Sequence, residues 1–398
     1  MSWEIKKLNE CCISIADGDH LPPPKSETGV PFVTIANVDS YNHFDFTDTM
    51  FVPQSYYDKL DEKRKARTGD ILLTVVGSFG IPVLITDDTP FVFQRHIAIL
   101  RPDPTVIDSR FLYYTMMSKS FYAQADAYAV GAAQRTISLT SLRQMKIAVP
   151  ELDIQKEIAD TLSMFDNLIG NNNKQIKTLE QMAENLYKEW FVRKRKTEWR
   201  YIRLSEFGYS LESGSRPKGG IDSSLQEGYP SLGAEAIGNI GEFDFSSTKL
   251  VPQEFFEKMK RGHGKDRDIL LYKDGAYIGK VTLFMDEFPY KNYSINEHVF
   301  FVRSDNPLYQ FYLYFTLSLP QYFVQMQNLN RNAAQPGLTR VDMDTIKLYM
   351  PDEDTIVAFN SSVEPILHEI FVLAKQNENL LKQREVLLPR LMSGKLEV

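Results

Sequence analysis

Residues 158–190 read IADTLSMFDNLIGNNNKQIKTLEQMAENLYKEW. Within them Ile158, Leu162, Phe165, Ile169, Asn172, Ile176, Leu179, Ala183, Leu186 and Trp190 follow one another by steps of four and three, and Asn172 is the single polar member. That spacing predicts a long helix with a coiled-coil seam. Adding 201 to every position gives Phe359, Val363, Ile366, Ile370, Leu373, Asn377, Leu380, Arg384, Leu387 and Leu391, so a second helix near the C-terminus keeps the same phase.

Two matched seams in one chain predict that the helices pair with each other. In a parallel alignment Asn172 meets Leu373 and Asn377 meets Ile176, and each unpartnered amide costs roughly 1 to 3 kcal/mol. In an antiparallel alignment Asn172 faces Asn377, so the helices are expected to run antiparallel with this pair helping to set the register. Gly170-Asn171-Asn172-Asn173 has poor helix propensity and reads as a local bend. Pro365 and Pro389 sit badly inside a helix. The second helix is therefore expected to begin near Val363, after a short helical segment, with an uninterrupted part of about 25 to 30 residues. Its length is then roughly 40 to 45 Å.

The seams belong to a larger duplication. Phe44-Asp45-Phe46 returns as Phe243-Asp244-Phe245, Val52-Pro53-Gln54 as Val251-Pro252-Gln253, and Asp70-Ile71-Leu72-Leu73 as Asp268-Ile269-Leu270-Leu271. His96 and Arg101 recur as His298 and Arg303, Ala132-Ala133-Gln134 as Ala333-Ala334-Gln335, and Pro150 as Pro351. A period near 200 residues far exceeds a solenoid unit of about 50 and marks a duplicated module. Val30 to Val38, Asp70 to Val76, Val83 to Thr86 and His96 to Arg101 read as strands. Phe111 to Tyr122 and Tyr309 to Gln325 read as buried helices whose aromatic residues belong to the core. The fold class is α+β: two similar mixed globular modules joined by two long antiparallel helices forming a coiled coil. The expected division is 1–150, 151–197, 198–351 and 352–398.

The 398 residues suffice for two such modules. The N-terminal residues lead into no signal-like apolar run, and no stretch approaches the roughly 18 apolar residues of a membrane span, so a cytoplasmic protein is expected. Cys11 and Cys12, the two cysteines, are adjacent and read as buried strand residues rather than a disulfide framework. The net charge of −7 opposes nucleic-acid binding when taken alone. Its distribution points the other way. Lys63, Arg64, Lys65 and Arg67 precede the first Asp-Ile-Leu-Leu, and Lys258, Lys260, Arg261, His263, Lys265 and Arg267 precede the second, giving matched basic footprints. Arg193-Lys194-Arg195-Lys196 reads as a solvated linker.

Catalytic and metal-binding motifs are missing: no G-x-G-x-x-G, no phosphate-binding G-x-x-x-x-G-K-[ST], no H-E-x-x-H and no paired C-x-x-C. His20-Leu21-Pro22-Pro23-Pro24-Lys25 lacks the Asn or Asp before Pro-Pro of an amino-methyltransferase site and reads as a stiff loop. His96 and His298 read as structural histidines. Three loop pairs instead carry residue types suited to base edges and phosphates. The first holds His20 and Lys25, matched by Arg216 and Lys218 in Gly214–Gly220; the second holds Ser78 in Gly77–Gly80, matched by Tyr277 and Lys280; the third holds Gln134 and Arg135, matched by Arg331, Asn332 and Gln335. Lys63, Arg64, Lys65, Arg95, Arg261 and Lys265 complete the candidate DNA contacts. Loops that differ on a shared frame predict two different readers and an asymmetric split target.

The whole chain resembles the specificity subunit of type I restriction-modification enzymes. The resemblance is carried by Gly69-Asp70-Ile71-Leu72-Leu73 with Gly77-Ser78-Phe79-Gly80, by Gln134-Arg135-Thr136-Ile137, and by Val149-Pro150-Glu151-Leu152-Asp153-Ile154-Gln155-Lys156-Glu157-Ile158-Ala159. Leu186-Tyr187-Lys188-Glu189-Trp190-Phe191 and the ending Leu387-Leu388-Pro389-Arg390-Leu391-Met392-Ser393-Gly394-Lys395-Leu396 add to it. It implies a non-catalytic subunit whose two target recognition domains each read half of a bipartite double-stranded DNA sequence, with the helices as a ruler. It further implies docking of two modification subunits that use S-adenosylmethionine, and recruitment of restriction subunits dependent on ATP and Mg, with no cofactor or metal in this chain. The second helix start, Asp352-Glu353-Asp354-Thr355-Ile356, departs from the Gln155-Lys156-Glu157 of the first. The alternatives are a standalone duplicated DNA-binding regulator and a scaffold without an enzymatic complex.

Overall fold

The computed structural model describes residues 3–18, 22–39, 41–131, 134–329 and 337–396. His20, Arg331, Asn332 and Gln335, and the paired Ala132-Ala133 and Ala333-Ala334, lie outside them. The chain divides into two compact units, one of Met1–Leu168 with Leu380–Val398 and one of Ile169–Asn379. The two long helices, Leu152–Tyr187 and Glu353–Met392, each contribute to both units.

In the first unit an antiparallel sheet has the strand order Cys12–Asp17, Ile97–Pro102, Ile71–Thr74, Pro82–Leu84. A second sheet places Val30–Val33 between Met50–Val52, antiparallel, and Val92–Phe93, parallel. Glu4–Lys7 pairs with Lys146–Val149 beside the start of the long helix. The second unit has the same topology: Tyr209–Ser213, Val299–Ser304, Asp268–Tyr272, Val281–Phe284 in one sheet, and Tyr229–Leu232 between Lys249–Val251 and Ser294–Ile295 in the other. Arg200–Arg203 pairs with Lys347–Met350.

Several elements are shorter than their sequence pattern. The run from Val30 is strand only to Val33, because the Thr34 side chain accepts from Ala36 N–H and folds Ile35–Asn37 into a helical turn. The helix expected over Phe111 to Tyr122 is two, Ser109–Met117 and Lys119–Tyr128, since Ser118 is extended and caps the second through Phe121 N–H. Its counterpart likewise breaks between Gln310–Ser318 and Pro320–Leu329, at the residue before a proline. Cys11 closes a short helix rather than lying in a strand, and Cys12 begins the strand. Both are free thiols, and burial pushes Cys11 up to about 11.

The long helices are more continuous than their propensities suggest. Leu152–Tyr187 passes through Gly170 to Asn173 without interruption, and Glu353–Met392 passes through both Pro365 and Pro389. Both prolines are exposed, as are Ser361 and Glu385, whose carbonyls lose the i→i−4 bond, so water can satisfy them. An interior proline costs about 3 kcal/mol, whereas each fully buried large apolar side chain contributes about 1.5 to 3 kcal/mol. Phe359, Val363, Leu367, Ile370 and Phe371 are all fully buried around Pro365, so packing outweighs the defect. By length and composition this helix is apolar enough to cross a membrane, contrary to the sequence expectation, and its buried face in the protein cores accounts for that apolarity.

Pairing of the helices is antiparallel. In the second unit Tyr187 lies edge-on to Phe359 with ring centroids 6.2 Å apart, while Asn172 Nδ2 donates to Asn377 Oδ1 at 2.9 Å. Asn377 Nδ2 donates in turn to Asn173 Oδ1 at 2.7 Å. Among the seam positions, Ile169, Ile176, Val363, Ile370 and Leu373 are buried, while Leu179 and Ile366 are half-buried at the margin of the same core. Leu186 is also marginal, and Tyr187 and Phe191 take the buried side where the helix passes into the π-helical turn Lys188–Arg193. In the first unit Leu162 packs with Leu388 and Leu391, with Leu387 at the margin, and Phe165 and Leu380 are half-buried. Arg384, a charged seam member, is met by Asp166, which also accepts from Tyr114 Oη at 2.6 Å.

The family-like helix start has a mechanical role. Gln155 is fully buried; its Oε1 accepts from Asp108 N–H at 2.8 Å, and its Nε2 donates to Pro150 O at 2.8 Å and Val106 O at 3.1 Å. Ile356 occupies the matching place in the second unit and is fully buried. There Asp352 caps the helix by accepting from Thr355 N–H at 3.0 Å, and also from Lys196 Nζ at 2.7 Å and Trp199 Nε1 at 2.9 Å.

Candidate nucleic-acid interface

In each unit the antiparallel order of the main sheet brings its loops to one end. In the first unit Asp17 pairs with Ala98, Thr74 with Ile97 and Leu73 with Pro82, so the loops after Asp17, after Thr74 and before Ile97 share a rim. Backbone bonds tie them together: Val75 N–H to His96 O at 2.9 Å, Gly80 N–H to Thr74 O at 2.8 Å, Gly77 N–H to Arg135 O at 3.0 Å and Ile137 N–H to Val75 O at 2.9 Å. The second unit repeats the scheme, with Lys273 N–H to His298 O at 3.0 Å, Gly279 N–H to Tyr272 O at 2.9 Å and Leu338 N–H to Lys273 O at 2.8 Å. A side chain at Gly18 would strike Phe93 O and one at Gly214 would strike Ile295 O, so both entry loops start at a residue that only glycine permits.

The basic runs are fastened to the sheets by a clamp present in both units. Arg101 donates from Nε and Nη2 to the two oxygens of Asp70 at 3.0 and 2.8 Å, and from Nη2 to Lys65 O at 2.8 Å. Arg303 does the same to Asp268 at 2.5 and 2.7 Å, and to His263 O at 2.9 Å. The two aspartates are buried. A bidentate Arg–carboxylate pair of this kind is geometrically specific, so each basic run is held in a fixed place.

Residues 2–181 match the model of the type I restriction modification DNA specificity domain. The chain is 24% identical over 420 aligned residues to the putative type I restriction enzyme MjaX specificity subunit of Methanocaldococcus jannaschii, covering 100% of this chain and 94% of that relative. The MjaIX specificity subunit of the same organism is 22% identical over 432 aligned residues, covering 100% and 94%. In fold, the chain is similar to the crystal structure of the type I restriction-modification system S subunit from M. genitalium, with a TM-score of 0.58, 18% identity, and coverage of 98% of this chain and 96% of that one.

Residues 2–181 thus match the type I restriction-modification DNA specificity domain, and the chain as a whole is similar to type I specificity subunits.

Among the described residues the candidate contacts fall into two groups. Lys25, Lys63, Ser78, Arg95 and Gln134 in the first unit, and Lys218, Arg261, Lys265, Tyr277 and Lys280 in the second, are exposed. The others are engaged by the fold. Arg64 lies 3.6 Å from Asp17, and Lys65 is bound to Glu62 at 2.7 Å and to Asp58 O at 3.2 Å. Arg135 is bound to Asp126 and lies over the Phe79 ring at 5.3 Å. Arg216 lies against Glu297 at 3.3 Å. Phe79 is itself buried and stacked on Tyr122, whereas Tyr277 in the matching loop is exposed.

The rim also includes residues that the sequence reading set aside. His298 donates from Nδ1 to Asp274 Oδ1 at 2.5 Å, and its Nε2 lies 3.4 Å from Glu297 Oε1. At the corresponding place the first unit has Arg95 beside His96. There burial, and then the Arg95 charge, hold the imidazole below its usual pKa. The recurrence of a histidine with opposite charges before it was the available signal.

Proposed function

We propose that this chain is the DNA sequence-recognition subunit of a type I restriction-modification complex. Residues 1–150 and 198–351 act as the two target recognition domains, each reading one half of a bipartite, asymmetric double-stranded target. Residues 151–197 and 352–398 set the spacing between the halves and dock two modification subunits. Methyl transfer from S-adenosylmethionine, and ATP- and Mg-dependent restriction, reside in those partner subunits, and this chain is non-catalytic.

The observation that carries this reading is one frame bearing two different rims. Strand order, glycine positions and the Arg–Asp clamp are the same in both units. The side chains presented at the rim differ in charge and shape, as Arg95 against Glu297 and Ser78 against Tyr277. A catalytic protein duplicated for chemistry would keep its rim groups and vary its frame; a pair of readers does the reverse. Co-expression with the modification subunit encoded beside it, followed by mapping of methylated adenines, tests the proposal. The expected result is a two-part asymmetric motif with a fixed gap. A continuous or palindromic motif, or no methylation despite stable complex formation, overturns it.

A further inference from the structure

The second unit's rim holds a guanidinium whose inner edge is buried beside a carboxylate. Arg216 Nε is shut away from water and lies 3.3 Å from Glu297 Oε1, an ion-pair contact without a hydrogen bond, while the side chain as a whole is 33% exposed. The exposure therefore belongs to the rest of the side chain and not to the Nε edge. Glu297 is itself held on several sides. Its backbone carbonyl accepts from Lys273 Nζ at 3.1 Å and from Ser213 Oγ at 3.4 Å. Its carboxylate lies 3.4 Å from His298 Nε2, and that ring is oriented by Asp274 through Nδ1 at 2.5 Å. His298 N–H donates to Asn296 Oδ1 at 2.8 Å, which fixes the same turn.

We infer that Arg216, positioned by Glu297 and the His298–Asp274 pair, reads a guanine in the half-site of the second module. The inference rests on the DNA-recognition reading above. A guanidinium whose Nε is buried beside a carboxylate can turn its Nη pair toward the rim as a planar two-pronged donor, which matches the O6 and N7 acceptors of guanine in the major groove. A lone phosphate contact needs charge and no such fixed orientation. Lysine on a flexible stem would serve a phosphate as well. The entry loop reinforces the assignment: Gly214 packs on the Ile295 backbone, so Arg216 leaves the sheet two residues after a rigid point. The first unit has Arg95 where Glu297 stands, so this device belongs to one half-site only.

The test uses the assembled complex of full-length chain and modification subunit. Wild-type complex defines the two half-sites by methylation mapping. Arg216→Ala and Arg216→Lys should both relax one guanine position in the second half-site and leave the first half-site intact, with Arg216→Lys keeping most of the overall affinity. Replacing that guanine with 7-deazaguanine, which lacks the N7 acceptor, should weaken wild-type binding about tenfold and leave Arg216→Lys binding nearly unchanged. Glu297→Gln should lose part of the same discrimination without altering other bases. An unchanged motif in Arg216→Lys, or a uniform loss of affinity across all sequences, overturns the inference while leaving DNA recognition standing. A wild-type complex that selects no sequence removes both.

Discussion

Asn172 and Asn377 form a hydrogen bond from Nδ2 to Oδ1, 2.9 Å long, in the buried seam of two helices that run in opposite directions. Gln376 lies beside them, 3.5 Å from Asn172 Nδ2, and Asn173 takes the remaining Asn377 donor. A buried amide pair adds little net stability, but it makes every other register leave polar groups unpaired. Asn172→Leu and Asn377→Leu should each cost about 1 to 3 kcal/mol. The double substitution should cost less than the sum, with a coupling of about 0.5 to 3 kcal/mol, because no amide is then left alone. Urea denaturation of the four proteins measures this; strict additivity would place the pair outside the register device.

The helix through Pro365 offers a second stability test. Pro365 is exposed and sits thirteen residues into the helix, counting from Glu353. Pro365→Ala should stabilise the chain by about 1 to 3 kcal/mol, since a helical N–H is regained and no core contact is lost. A melting temperature that falls would show that the proline bends the helix into a shape the packing requires.

Glu180 supplies a pH dependence. Burial, followed by the nearby Glu184 and Glu242 charges, pushes its carboxyl from 4.5 up to about 7, although the Ile240 N–H opposes the shift. The folded state thus holds this proton more tightly than the unfolded state. Its contribution to stability is present below 4.5 and is lost as pH rises through about 7. Glu180→Gln should therefore raise the melting temperature at pH 8, have little effect at pH 4, and flatten the profile between. Parallel profiles for the two proteins would contradict the assignment.

Salt dependence separates exposed from engaged cations. Lys63 and Lys25 are exposed, whereas Lys65 is bound to Glu62 and to a backbone carbonyl. Lys63→Ala or Lys25→Ala should reduce the slope of log affinity against log salt by about 1, equally for all target sequences. Lys65→Ala should leave the slope nearly unchanged. Fluorescence anisotropy over a salt series gives the comparison.

What the sequence made legible was periodic or repeated. The steps of four and three located both helices and the facing amides, because a seam must return to one face whatever it packs against. The repeat located the clamp residues, but not their partnership. Asp70 and Arg101 are separated by 31 positions and meet only across neighbouring strands. Local rules failed where packing overrode them, at Pro365 and at Gly170 to Asn173. Beyond Tyr187 the seam gives way to a π-helical turn, Lys188–Arg193, that no heptad count contains. In the rim, residue type alone singled out Arg135, which the fold engages with Asp126, and passed over Glu297, whose partners lie in other loops.

Independent reading by two modules is the central claim, and exchanging one module tests it most directly. Residues 1–150 are replaced by the corresponding module of a relative with a different target, and methylated adenines are mapped in cells that also express the modification subunit. The account predicts that one half-site changes to that of the donor, while the other half-site and the gap stay as they were. Altered bases in both halves would contradict it.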